Sequence, residues 1–408
     1  MMPLRSAVPV FLSFALAYFF STLVRAVTAT LAPALSTELG LSSGDLGLLA
    51  GAYFLGFAAM QLPLGSALDR HGPRRVLLAL LGVAVVGCAA FAMAQHFVAL
   101  TLARALIGVG VSACLMAPLT AFRRSFGPQA QLRANSWMLM SGSLGMVAST
   151  LPVQWMLPVL GWRGLFWLIG FLLALSMAAI VVCVPADDSR RFAASRTTGY
   201  AAIWRQRTLL RFAPLAFFHY GGMIAVQSLW AGPWLVQVCG WTPEQAAAGL
   251  FAINLSMLLA FLAWGLFVPR LYRAGWSAQR LVTWGVPVSL LLLLLASGLG
   301  ERATAWAGTL FCASSSVLSL SQPAVGQASP SEQAGRALSA YNLVIFGGIF
   351  TLQWGLGIAI DTFMRGGGST LSAFRAAMAL FAACAICAYL WFLRYDDASV
   401  AALPVERA

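Results

Sequence analysis

Two arginines stand inside long apolar stretches of a chain in which only 9% of the residues are charged. Arg25 falls in the second half of the stretch 8–34, and Arg104 falls near the start of the stretch 98–121. A charge within membrane hydrocarbon costs about 2.5–3.5 kcal/mol on insertion scales, so each guanidinium needs a partner. None of the 12 acids lies near the middle of an apolar stretch. Because Arg presents a planar fork to carboxylate, sulfonate or phosphate oxygens, we predict that both arginines bind a small or medium organic anion.

Each arginine also has a purely structural interpretation. Arg104 could bond to backbone carbonyls of a neighbouring helix, and Arg25 could extend its side chain toward the outer membrane surface. If their two helices cross the membrane in opposite directions, both arginines lie in its outer half at a similar depth. That shared depth favours convergence of the two side chains on one site.

Polar side chains near Arg25 have the spacing of one helical face. Tyr18, Ser21, Thr22, Arg25 and Thr28 form a stripe at three- and four-residue steps. A later apolar stretch carries His219, Tyr220, Gln227 and Trp230. The residues expected to bind the anion are Arg25, Arg104, Tyr18, Thr22, His219, Gln227, Trp230, Asn254 and Gln353. Each uncharged member of this set could instead form a hydrogen bond between membrane helices.

Residues 65–75 gather charge and glycine between two apolar runs, in the order Gly65-Ser-Ala-Leu-Asp69-Arg70-His-Gly72-Pro-Arg74-Arg75. Gly65 lacks a side chain, which would let the end of one helix approach another closely. Asp69 suits the N-terminus of a facing helix, where unpaired N–H groups favour an anion. We predict a gate at the cytoplasmic mouth, formed by Gly65, Asp69, Arg70, Gly72 and Arg74. The alternative is that the arginines only fix the topology.

The composition requires an integral membrane protein. Hydrophobic residues make up 60% of the sequence and its mean hydropathy is +0.84, which is more apolar surface than a water-soluble fold can bury. A spanning helix needs about 20 mostly apolar residues. Twelve spans are predicted, over residues 8–34, 46–67, 75–95, 98–121, 135–157, 164–184, 211–236, 245–268, 281–299, 303–323, 337–360 and 373–394.

The distribution of basic residues predicts the orientation of these spans. All 25 basic residues are Arg, and most of them lie on the cytoplasmic side if both termini are cytoplasmic, as the positive-inside bias requires. Only Arg163, Arg302, Arg365 and Arg375 would then face outward. Anionic lipid headgroups account for the net charge of +13. A nucleic-acid partner is not expected, because the arginines are dispersed over short loops instead of forming one basic face.

The longest polar stretch follows Pro185 and divides the predicted spans into two groups of six. We predict an N-terminal bundle over residues 1–185, a cytoplasmic linker over 186–210 and a C-terminal bundle over 211–408. The loop 265–280 is a weaker copy of the loop 65–75. Many secondary transporters consist of such repeats, with the substrate held between the halves near the membrane midplane.

Four segments together resemble the major facilitator superfamily of secondary transporters. They are the loop 65–75, Leu102-Ala-Arg104-Ala-Leu-Ile-Gly108-Val-Gly110, Gly161-Trp162-Arg163-Gly-Leu-Phe166, and the stretch from Gly335-Arg336-Ala-Leu-Ser-Ala-Tyr-Asn342 to Gln353-Trp354-Gly355. The resemblance implies an all-α integral membrane fold of twelve transmembrane helices in two six-helix pseudo-symmetric halves. It also implies that spans one, four, seven and ten line a central cavity. By the same resemblance, Asp69 with Arg70 and Arg74 contacts span eleven and stabilises the outward-open state.

The resemblance and the two arginines together predict a secondary active transporter that moves an organic anion by alternating access. The alternative is efflux of amphiphilic or drug-like compounds by proton antiport, although residues 142–152 lack the tight Gly-Pro pattern of drug antiporters. A coupled proton could travel through His219 or Asp45, or on the substrate itself, whereas uniport or anion exchange would need none. The chain has no Lys and no phosphate-binding Gly-Lys-Ser loop, which speaks against ATP-driven transport.

Other classes fit the sequence poorly. The three His are scattered, and Cys384 and Cys387 have no companion ligands, so we expect neither an enzyme nor a metal or other cofactor. A transporter-derived sensor that binds without transport is a further alternative. We expect a monomer surrounded by lipid in a bacterial inner membrane, crossing it many times with both termini in the cytoplasm.

Overall fold

The computed structural model describes residues 4–186, 200–330 and 333–395, and within these ranges it consists of helices joined by short turns. In chain order the helices are α1 (Leu4–Leu39), α2 (Ser43–Ala59), α3 (Gln61–His71), α4 (Pro73–Met93), α5 (Phe97–Val111), α6 (Met116–Ser125), α7 (Pro128–Ala148), α8 (Leu151–Cys183), α9 (Ala201–Trp204), α10 (Arg207–Val238), α11 (Pro243–Arg273), α12 (Ala278–Leu299), α13 (Ala305–Ser315), α14 (Ser321–Gln327), α15 (Ala334–Arg365) and α16 (Thr370–Arg394). All twelve predicted apolar stretches are helical over most of their length.

The prediction of a helical, multi-pass membrane protein is confirmed. Among the described residues, nine helical segments are long and apolar enough to cross a membrane, counting α5 and α6 together as the segment Phe97–Arg123. The pair α2 and α3, bent by 45°, is a tenth if it forms one span. The two other predicted stretches, 135–157 and 303–323, are helical but interrupted, the second by a 3-10 turn over Ser316–Leu320. That these two stretches also cross the membrane, which would give twelve spans, stays a prediction. Most of the predicted linker, residues 187–199, lies outside the described residues.

Glycine and irregular turns set the bends in the helices. Gly161 has a φ of 61° and divides α8 sharply, and Gly72 has a φ of 87° where α3 gives way to α4. Side chains other than glycine rarely adopt such angles. In α10, regular turns alternate with π turns over Leu215–Tyr220, Val226–Trp230 and Trp234–Val238. Because π turns frequently mark functional sites, the irregular course of α10 draws attention to this helix.

The helices form two groups, one on each side of the predicted linker. In the first group α1 packs on α7 and α8, α2 packs on α5, and α4 packs on α5 and α8. In the second group α11 and α12 pack on α13, and α15 packs on α16. The two halves meet where α1 packs on α10 and α11, where α2 and α3 pack on α15, and where α7 and α8 pack on α11.

One end of the interface between the halves is closed by direct backbone contact. We call the end with Asp361 the outer end and the end with Asp69 the inner end, following the topology that the arginine distribution predicts. At the outer end a Cβ on Gly232 of α10 would stand 2.6 Å from the carbonyl oxygen of Ala29 of α1. Such a distance is too short for a real Cβ, so glycine is required for this approach of the two helices.

A second outer contact joins α2 to α15. A Cβ on Gly47 would overlap the backbone of Gln353, and a Cβ on Gly357 would overlap the backbone at residue 43. One turn further out, Asp361 accepts hydrogen bonds from the backbone N–H groups of Ser43 at 3.0 Å and Gly44 at 2.8 Å. These N–H groups belong to the first turn of α2 and have no partner within the helix. We call this contact of α2 with α15 the outer seam.

Candidate functional site

Arg25 lies in α1 between the two halves, and no acid pairs with it among the residues that the structure describes. One terminal nitrogen of its guanidinium, Nη2, lies 3.2 Å from the sulfur of Met146 in α7. Its Nε is buried, and no hydrogen-bond partner for that nitrogen is found in the described part of the chain. A partly dehydrated charge without a counter-charge is unfavourable, and a bound anion would relieve that cost.

Arg104 lies beside Arg25, as the similar depth of the two residues predicts. Its side chain is only 1% exposed, and its Nη2 donates to the hydroxyl of Thr28 at 2.5 Å and to the backbone carbonyl of Arg25 at 3.4 Å. The guanidinium also stands over the ring of Tyr53, 5.2 Å from its centroid, which is a cation–π contact. Arg104 thus holds the turn of α1 that carries Arg25, and its own side chain is enclosed.

The glycines after Arg104 explain how α5 reaches its neighbours. A Cβ on Gly108 would overlap the backbone of Tyr53 in α2, and a Cβ on Gly110 would overlap the backbone of Ala84 in α4. Close packing of small residues is a general means of joining membrane helices. It brings Tyr53 and Arg104 to the same level beside α1.

Three tyrosines lie near Arg25, two from the first half and one from the second. Tyr18, Tyr53 and Tyr220 all lie within electrostatic range of its guanidinium. The Tyr53 hydroxyl donates to the carbonyl oxygen of Ser21 at 3.4 Å. Tyr220 is buried and Tyr18 half-buried, and neither hydroxyl makes a hydrogen bond with a described residue. Both phenols and the Nε of Arg25 are therefore available to a ligand.

Four other expected ligands join helices near the outer seam. Gln227 of α10 donates through Nε2 to Oδ1 of Asn254 at 3.0 Å. Trp230 donates through Nε1 to the backbone carbonyl of Gln353 at 3.1 Å, and Gln353 donates through Nε2 to the Ser228 hydroxyl at 2.9 Å. These bonds tie α10 to α11 and α15. The Oε1 of Gln353 is buried and has no partner among the described residues.

Two further expected ligands are fully buried in contacts within one half. Thr22 donates from its hydroxyl to the carbonyl oxygen of Gly142 at 2.7 Å, which joins α1 to α7. His219 has its Nε2 2.8 Å from the Ser289 hydroxyl, and its ring packs edge-on against Phe311. Both partners of His219 belong to the second half. This placement argues against direct contact between His219 and an anion on Arg25.

The predicted gate residues lie at the inner end. The close helix approach expected at Gly65 is not formed in this conformation, because a Cβ there would meet nothing within 4 Å. The bend between α2 and α3 precedes this residue and leaves open space beside it. Asp69 and Arg70 are exposed, and Arg74 donates to the carbonyl oxygen of Val181 at 2.7 Å within the first half. The role of these residues as a gate stays a prediction.

A separate apolar pocket lies within the second half. Its lining includes Trp234, Ile253, Phe311 and Met378, and none of its lining residues is charged. Such a pocket suits an apolar ligand and not an anion. It is therefore distinct from the space beside Arg25.

The profile of the Major Facilitator Superfamily matches residues 14–352, which include parts of both halves and the residues around Arg25. The chain therefore belongs to this superfamily, and the resemblance predicted from its motifs is confirmed. Solved structures agree with the fold. A bacterial homolog of the human lysosomal transporter Spinster, inward-facing and unoccupied, is similar with a TM-score of 0.75 and 16% identity, over 97% of this chain and 98% of the other. A D-xylose-proton symporter is similar with a TM-score of 0.77 and 13% identity, over 95% and 98%.

Several curated relatives are named as transporters of organic acids. A probable L-galactonate transporter of Escherichia coli (strain K12) is 31% identical over 33% of this chain and 30% of its own length. The probable sulfoacetate transporter SauU of Cupriavidus necator is 26% identical over 57% and 58%. The 4-hydroxybenzoate transporter PcaK of Pseudomonas putida is 30% identical over 48% and 43%. The matches thus span about a third to three-fifths of these relatives.

Proposed function

We propose that the chain is a secondary active transporter that moves a small or medium organic anion across the membrane by alternating access. The anion binds to Arg25 between the two halves. The observation that carries the proposal is the half-buried guanidinium of Arg25, which has no acidic partner among the described residues. A carboxylate or sulfonate would supply the missing counter-charge and would accept charge-assisted hydrogen bonds from the guanidinium.

The relatives support this class of substrate. Galactonate, sulfoacetate and 4-hydroxybenzoate differ in size and body, yet each carries a carboxylate or a sulfonate that an arginine can bind. They share only the acidic group, so we propose for this chain a substrate with a carboxylate or a sulfonate and no particular body.

The closed outer end supports alternating access. Arg25 lies about one helical turn to the inner side of the contact between Ala29 and Gly232, so in this conformation that contact separates it from the outer end. In the opposite state the predicted bundles 1–185 and 211–408 would separate at the outer seam and close at the predicted gate around Asp69. We propose a bacterial inner membrane with both termini cytoplasmic, as the arginine distribution predicts. We also propose a monomer, because the residues of the proposed anion site all belong to one chain.

A ligand screen by thermal stabilisation tests the proposal. The purified protein is heated with organic carboxylates, sulfonates, phosphates, sugars, amines and drug-like cations, because a ligand that binds only the folded state raises its apparent stability. Arg25→Met is screened in parallel, since Met keeps a long apolar side chain and removes the charge. The matched control is Arg375→Met, which loses a half-buried arginine that caps the carbonyls of Ser297 and Gly298 away from the site.

We expect that carboxylates or sulfonates stabilise the wild type and Arg375→Met but not Arg25→Met. Uptake of the same anion into proteoliposomes, with and without a pH gradient or an internal anion, then distinguishes proton coupling from exchange. Stabilisation by cations or neutral amphiphiles that persists in Arg25→Met would overturn the anion site. It would favour efflux by proton antiport, and the apolar pocket of the second half would then be the candidate binding site.

A further inference from the structure

We propose that Tyr220 of the second half, together with Tyr18 of the first, binds a second oxygen of the substrate while Arg25 binds its acidic group. The substrate would then be an organic acid with a hydroxyl, carbonyl or further acidic oxygen on its body. This inference rests on the proposed function and adds a second contact point that lies on the other half of the protein.

The depth of the two tyrosines follows from the contact that closes the outer end. Ala29 of α1 touches Gly232 of α10, and both helices run from the inner end toward the outer end. Tyr18 and Tyr220 each precede this contact by about three turns, which is about 16–18 Å at ~1.5 Å per residue. The two phenols therefore lie at the same level on opposite halves.

Arg25 lies between that level and the closed end. It precedes the contact with Gly232 by about one turn, and Tyr18 lies about 10 Å further toward the inner end. Side chains on a helix tilt toward its N-terminus, so the guanidinium of Arg25 is directed toward the two phenols. An anion held by Arg25 would extend its body toward Tyr18 and Tyr220.

The tyrosine hydroxyls near Arg25 and in α15 fall into two groups, those with a hydrogen-bond partner in the protein and those without one. Tyr341 donates to the Ser321 hydroxyl at 2.7 Å, and Tyr53 donates to a backbone carbonyl, so both are satisfied within the protein. Tyr220 is only 9% exposed and Tyr18 is half-buried, yet neither hydroxyl has a partner among the described residues. A buried phenol normally finds a partner, and it can donate and accept at once.

Matched pairs of ligands test the inference. Binding is measured by calorimetry on the full-length purified protein with 4-hydroxybenzoate against benzoate, and with 2-hydroxyethanesulfonate against ethanesulfonate. Each pair keeps the acidic group and removes the second oxygen. The variants are Tyr220→Phe and Tyr18→Phe, which remove only a hydroxyl, and Tyr341→Phe is the matched control.

We expect the wild type to bind the oxygenated member of a pair more tightly, and Tyr220→Phe to weaken that member about 2- to 12-fold, as for loss of one hydrogen bond. The same variant should leave the other member unchanged, and Tyr341→Phe should change neither affinity. The second contact would be overturned if the wild type bound both members of a pair equally, or if Tyr220→Phe weakened both members equally. In either case the proposed function would stand as long as Arg25→Met abolished binding. Failure of every acid to bind in an Arg25-dependent way would instead overturn the proposed function.

Discussion

The carboxylate of Asp361 accepts a hydrogen bond from the backbone N–H of Gly44 at 2.8 Å, and the two residues belong to opposite halves of the protein. The second carboxylate oxygen accepts from the N–H of Ser43 at 3.0 Å. An anion at a helix N-terminus is stabilised by the unpaired N–H groups and by the helix dipole. Asp361 therefore contributes to holding the outer end closed, in the way that the loop motif predicts for Asp69 at the inner end.

Replacing Asp361 by Asn should open the outer end more often. Asn keeps one acceptor oxygen but loses the charge, which we expect to weaken the closed state by about 1–2 kcal/mol and shift the open population roughly 5- to 30-fold. Ala32, 2% exposed near the outer end of α1, can report the opening. In a background without the native cysteines, Ala32→Cys should react faster with an external, membrane-impermeant maleimide when Asp361→Asn is present.

Asp45→Asn is the matched control for this change. Asp45 forms a capping box with Ser42 at the start of its own helix α2, so it makes a similar contact within one half. Its replacement should lower stability without changing the reactivity of Ala32→Cys. An unchanged reactivity in Asp361→Asn, or an equal increase in both variants, would show that Asp361 does not hold the outer seam.

Most of the fold was predictable from the sequence because the length and apolarity of a membrane helix are local properties. The meeting of Arg25 and Arg104 was also predictable, since opposite helix directions place them at one depth. The sequence allows Arg104 either to bind the anion or to bond to a backbone carbonyl, and the hydrogen bond to the Arg25 carbonyl supports the second role. No sequence pattern could distinguish these alternatives, because the acceptor is a backbone carbonyl.

The parts that the sequence left open depend on which face a helix turns to its neighbours. The contact of Asp361 could not be predicted, because its partners are backbone N–H groups on another helix and no sequence pattern marks them. Tyr220 and His219 are adjacent in α10, but one lies near Arg25 and the other packs against Phe311. The π turns in α10 disturb the helical period, so the sequence could not predict which side chains of this helix face Arg25.

Removing the charge of Arg25 should not lower the stability of the protein without ligand. No acid pairs with the guanidinium among the residues that the structure describes, so Arg25→Met replaces an unfavourable charge by an apolar side chain of similar length. We expect the free energy of unfolding of the ligand-free variant to be equal or higher by about 1 kcal/mol, as is common where function requires strain. Thermal unfolding without ligand measures this. A clear loss of stability would mean that Arg25 is a structural residue.

Removing Arg104 should have the opposite effect. Arg104→Met leaves the Thr28 hydroxyl and the Arg25 carbonyl without their donor and loses the contact with the Tyr53 ring. Hydrogen bonds from a charged group contribute about 1.5–3 kcal/mol, so the ligand-free protein should melt at a lower temperature. Anion affinity should fall less than in Arg25→Met, because the binding guanidinium is still present. If both variants lost affinity equally and kept their stability, Arg104 would be a second ligand.

A side chain at Gly47 should force the outer seam apart. The Cβ of Gly47→Val would overlap the backbone of Gln353, which cannot move without shifting α15. We expect the external reactivity of Ala32→Cys to rise and transport to stop, since the outward-closed state becomes inaccessible. Gly355→Ala in α15 is the control, because a Cβ there meets open space and a helical Ala contributes about 0.5–1 kcal/mol relative to Gly. Equal behaviour of the two variants would contradict the close approach of α2 and α15.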